Sequence, residues 1–294
     1  TGSTVSLQGA RIVGGNLTTA GTGAINLTAG SALRDLTITA GSTVTAIDNS
    51  TVRIDPGTIT NDGTFRVNSA GNGVDLRLSS FTVGSDTVTL GGSGVLQMSN
   101  FSNNRILADD NQDVLVNAST HTIRGSGQIG VDSMRFRNQG LVEATGSAGL
   151  VIDTAGDQNN SSATLINQAT LQSNGGTLTI QNSRVDNTGG VIQAQTGSTT
   201  VISNSRITGG SLTTVGSGAI SLANQAALGN LTITAGSTVT VFDNQIGRLD
   251  PGTITNNGTL LLNSVGNGAD LRLNNLGGAG ETVAIPLPRG AAPH

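Results

Sequence analysis

The densest group of residues able to do chemistry is acidic. Asp109, Asp110 and Asp113 lie close together, with Arg105 before them and Arg124 after. Carboxylates beside Arg are what general acid/base cleavage of a polysaccharide, or a calcium site, would require. A solvated surface turn has the same composition. The chain has no Trp or Tyr with which to build the aromatic platform of a sugar cleft, so the turn is the stronger reading. His121 is the one His inside the chain, His294 being terminal, and no Ser/His/Asp set can be assembled. With Cys at zero, thiolate metal sites, a Cys nucleophile and disulfides are all excluded.

Other motifs read as structure. Gly14-Gly15 and Gly71-Asn72-Gly73 are followed by no helical pattern, and every basic residue is Arg, so they are not phosphate loops. The tandem Gly/Asp nonapeptide of calcium-binding β-rolls is absent. Asp75 and Arg77, and again Asp270 and Arg272, fall on one face of a strand and suit ion pairs between neighbouring coils. Thr-x-Thr pairs such as Thr37/Thr39 and Thr43/Thr45 suit outward strand positions better than an ice-binding array. The residues therefore name no catalytic, cofactor-binding or metal-binding position, and the chain is expected not to be an enzyme and to need no cofactor.

The elements that would carry these residues are short. Leu36–Thr39, Thr43–Thr45 and Val52–Ile54 alternate apolar and polar residues with period two. Gly41-Ser42, Asp48-Asn49 and Asp55-Pro56-Gly57 separate them as turns, a strand-and-turn pattern with no helical spacing. Disorder is disfavoured, because net charge is only -4 and β-branched residues recur in spaced clusters.

Two periods organise the strands. LTITAGSTVT is written at 36–45 and again at 231–240, and residues 11–78 match 206–273 without a gap at an offset of 195. About two thirds of those positions are identical, the mark of a repeat architecture. A shorter signature places an aliphatic residue at Leu17, Leu36, Ile59, Ile123, Val142, Leu171, Ile192, Leu212, Leu231 and Ile254. The gap of 64 from Ile59 to Ile123 reads as three units of about 21, so that nine units fill the offset. Residues 36–61 and 231–256 should then superpose nine coils apart.

A unit of about 21 residues with several short strands suits one coil of a parallel β-helix. The expectation is an all-β, right-handed parallel β-helix (β-solenoid) of about 13 coils, a single solenoid over 1–285 with a Pro-rich tail or linker over 286–294. Leu, Ile, Val and Ala should face inward in ladders, Thr, Ser and Asn outward, with Asn and Gly at corners. Residues 153–163 should form a loop protruding from one corner.

Phrases such as ITGGSLTT, LTITAGSTVTVFDN, GTITNNGTLLLN and HTIRGSGQIG resemble the β-strand repeats of large bacterial secreted proteins, the autotransporter passengers and filamentous-haemagglutinin-like adhesins. The resemblance spans residues ~5–275, most of the chain. It implies a right-handed β-helix, export to the bacterial cell surface or beyond, and an adhesive or structural role; a carbohydrate-active β-helix or phage tailspike is the alternative. No secretion module or membrane barrel of that family is visible in the sequence. A net charge of -4 argues against nucleic acid as a partner, and no apolar run is long enough for this segment to insert in a membrane. The first coils read like interior coils, so the expected partner is a second copy, end to end, with a host or neighbouring-cell surface as the adhesive target.

Overall fold

The computed structural model describes residues 2–82, 84–159, 161–274 and 282–285. Its strands are two to five residues long, and no helix occurs among the described residues. They stack into three sheets of 12 strands, which the chain visits in strict rotation. Thr4–Leu7, Arg11–Val13 and Asn16–Leu17 open the first, second and third sheets, and every strand pair is parallel. The chain is a β-solenoid of about 12 turns, roughly 55 Å long at the strand spacing. The Pro-rich tail lies outside the described residues.

Alternation explains the lumen. Along each strand every second side chain points inward, and register stacks those residues turn upon turn. In the first sheet the inward column runs Phe65, Leu96, Ile123, Val142, Leu171, Ile192 and Leu212, all essentially buried. In the second it runs Val52, Leu76, Ile106, Ile129, Ile152, Ile180, Ile202 and Leu222. Phe65 and Phe136 are the largest buried side chains, and Met98 and Met134 fill the lumen beside them.

Twelve turns replace the expected thirteen because the middle of the chain was divided wrongly. Successive core partners Phe65, Leu96 and Ile123 lie 31 and 27 residues apart, so this region holds fewer, longer turns. Residues 154–164 form the connection that lengthens the turn from Val142 to Leu171 to 29 residues. Strand spacing is constant while corner length is free, because an extra residue at a corner never disturbs the ladder.

The long repeat is not a whole number of turns either. Leu36–Ile38 is the second strand of the third sheet; its copy, Thr232–Ile233, is the eleventh strand of the first. Nine turns on would be the eleventh strand of the third sheet, two faces further along, so the true offset is eight turns and a third. Every copied strand follows: Arg11–Val13 is in the second sheet and Arg206–Thr208 in the third, Thr64–Asn68 in the first and Thr259–Asn263 in the second. The local pairing is preserved, Thr37 opposite Thr60 as Thr232 is opposite Thr255. The three faces bury the same aliphatic pattern, so one sequence can serve on any of them.

Candidate functional site

The residues expected to form an acidic site are spread over two faces. Arg105 lies on Asn104–Ala108 of the second sheet, opposite Asp75 of the preceding turn. Its guanidinium grips that carboxylate with Nε at 2.7 Å and Nη2 at 2.9 Å. Asp109, at the end of the same strand, accepts from Arg77 at 3.0 Å and from Arg53, which are neighbours in register. Partial burial opposes ionisation of Asp109, but the hydrogen bonds and charges of the two Arg outweigh it and lower its pKa. Asp113 is buried at the next corner, where it accepts from the Ser80 hydroxyl and from the Asp86 amide at 2.9 Å; burial pushes its pKa up. Asp110 caps the Gln112 amide at 2.8 Å. Arg124 is on the first sheet, donating to Gln97 at 2.6 Å. The three acids thus have three separate structural jobs and share no groove.

His121 is 1% exposed and joins a buried polar ladder. Its Nδ1 lies 2.8 Å from Asn117 Oδ1, its Nε2 3.1 Å from Asn61 Nδ2. Asn117 donates to Asn138, Asn138 to Asn167 and Asn167 to Asn187, at 2.8, 2.8 and 2.6 Å. Because Asn117 Oδ1 accepts, the network assigns the proton to Nδ1 and leaves Nε2 as the acceptor. Burial lowers the His121 pKa to about 4. This imidazole is a neutral member of a stack of amides.

The offset repeats its corner chemistry. Asp48 accepts from the amides of Ala70 and Asn72 at 2.9 and 3.1 Å, and its copy Asp243 accepts from Asn267 at 2.9 Å and from Val265 and Gly266 at 3.3 Å. These backbone hydrogen bonds hold both carboxyls below their usual range. Asp35 caps Thr58, and Asn230 caps Thr253 in the same way. Arg11 pairs with Asp55 at 2.7 Å, Arg206 with Asp250 at 3.1 Å. Asp75 and Arg77, expected to join neighbouring coils, do so through Arg105 and Asp109.

One acidic cleft was not foreseen. Asp132, Asp153, Gly156, Asp157, Asn182 and Asn204 line a shallow depression where the 154–164 connection leaves the rod. Asp153 accepts from Gln181 at 2.9 Å, and its pKa is raised, by burial first and by Asp132 as well. Asp132 is held by the Gly156 amide at 2.8 Å, and Asp157 caps Asn159. Their separation along the chain hid the group; corners one turn apart become neighbours only once turn lengths are known. No cluster of three or more His or acidic residues suited to a metal occurs among the described residues.

Comparison with protein-family models and with curated proteins found no match. The β-solenoid therefore stands on its own geometry.

Proposed function

We propose that this chain is a non-enzymatic, extracellular structural or adhesive β-solenoid of a bacterial surface, which stacks end to end as a filament or as a segment of a longer repeat protein. The dispersal of its charged groups supports this most directly. Asp109 is held between Arg53 and Arg77, Arg105 is clamped to Asp75, and Asp113 braces a corner. An acid/base pair for glycoside cleavage would instead bring two carboxyl groups to about 5 to 10 Å across one open groove.

The runner-up, a carbohydrate-active β-helix, finds its best support in the cleft, where Asp153 is kept protonated more readily beside Asp132. Incubation with a panel of bacterial and host polysaccharides, read for new reducing ends or unsaturated products, separates the two. No product is expected. Cleavage that disappears in Asp153→Asn would overturn the structural reading. The adhesive role is checked by coating beads with the chain and counting their attachment to cells against uncoated beads.

A further inference from the structure

The two ends of the rod are unlike, and the long repeat indicates how they fit. Turn twelve, residues 255–273, is the copy of residues 60–78, which lie inside the rod with a further turn on top. There Leu78 is 1% exposed, whereas its copy Leu273 is 69% exposed; Val67 is 0% exposed and its copy Leu262 45%. The chain covers one of the three open edges itself: Val283 and Ala284 pair with Gly252 and Thr253, as Val88 and Thr89 pair with Gly57 and Thr58. Thr259–Asn263 and Asp270–Leu273 remain open. At the opposite end Val5 and Val13 are more than half exposed.

Inside the rod the copies of these two open strands are covered by Val95–Met98 and Asn104–Ala108. Over Asp75, Leu76 and Arg77 lie Arg105, Ile106 and Leu107. The first turn offers the same residue types in the same order, Arg11, Ile12 and Val13. The strand before it, Thr4–Leu7, offers Val5 and Leu7 where Val95–Met98 offers Leu96 and Met98. Asp75 carries a bidentate Arg105 and is 12% exposed; its copy Asp270 has only Arg272 and is 50% exposed.

We infer that, in the end-to-end association proposed above and resting on that reading, the first turn of a second copy seats on turn twelve rotated by one face. Thr4–Leu7 lies on Thr259–Asn263, Arg11–Val13 lies on Asp270–Leu273, and Arg11 supplies the missing partner of Asp270. Asn16–Leu17 then follows over residues 282–285. The chain path continues without a break, advancing twelve turns and a third per copy, and the same third of a turn separates the internal copies. A head-to-tail joint of this kind does not close on itself, so it generates a fibre.

Sedimentation and negative-stain microscopy of the full chain, over a range of concentrations, read the assembly. Asp270→Arg, which leaves the Arg11–Asp55 pair intact, should weaken association about tenfold or more, and adding Arg11→Asp should restore it. Circular dichroism of each variant confirms that the solenoid persists. Because the chain has no Cys, the register can be read directly. Mixing chains carrying Ser6→Cys with chains carrying Leu261→Cys should give a disulfide-linked dimer on mild oxidation. Linkage of Val13→Cys to Leu261→Cys instead would show stacking without rotation and overturn the joint. Wild-type fibres indifferent to the charge swap, with no Ser6–Leu261 link, would overturn this joint and leave end-to-end stacking standing. A wild-type chain that stays monomeric at millimolar concentration would overturn both.

Discussion

At the scale of single residues, polar groups here mostly serve the fold. His121 is the clearest case, an imidazole enclosed by amides and with no carboxylate on it. Protonation would put an N–H on Nε2 against the amide donor of Asn61, besides placing a charge in the lumen. The folded chain takes up this proton only near pH 4, whereas the unfolded chain takes it up near 6.5. The unfolded state therefore binds more protons throughout that window, and acidification through it favours unfolding. A shift of that size corresponds to about 3 kcal/mol lost between pH 6.5 and 4. His121→Asn, which keeps an amide in the ladder, should flatten that acid limb; urea unfolding at pH 7.5 and 4.5 would measure it.

At the scale of the strand and its corner, backbone room decides what is allowed. Gly127 begins the strand Gly127–Ile129 with φ +140, and a Cβ there would lie 2.3 Å from the Asn104 carbonyl oxygen. That contact is backbone from the turn below, so it cannot rotate away. Gly127→Ala should destabilise the chain by at least about 2 kcal/mol, seen as a lower urea midpoint. Gly236, by contrast, has open space at its Cβ, and its φ of +76 is the whole of its constraint. Gly236→Asn is expected to be tolerated, as Asn182 and Asn204 hold positive φ at other corners.

At the scale of the whole molecule, the rod is close to one-dimensional, each turn touching mainly the turns beside it. A complete turn should therefore be removable. Ile192 and Leu212 are register partners 20 residues apart. Deleting residues 192–211 brings Leu212 into the place of Ile192 and should leave a folded rod shorter by about 4.8 Å. Deleting residues 192–201 would put inward residues on a corner and should abolish folding. Circular dichroism and small-angle scattering of the two deletions check both outcomes.

The sequence by itself determined the kind of architecture. Period-two alternation with Gly and Asn corners leaves few alternatives to stacked parallel strands, and the 195-residue repeat made the chain a solenoid. It also showed that Asp75, Arg77, Asp270 and Arg272 belong to strand faces. The number of turns was beyond it, because corners absorb extra residues without altering any strand; Ile59 to Ile123 spans two turns and a third where a uniform unit implied three. The partners of Asp109 were beyond it for the same reason. Arg53 and Arg77 lie 56 and 32 residues away, and only stacking lays their strands one upon another at the place where Asp109 leaves the sheet. Local pattern sets which way a side chain faces; the sum of all corner lengths sets what it meets, and that sum exists only in the folded rod.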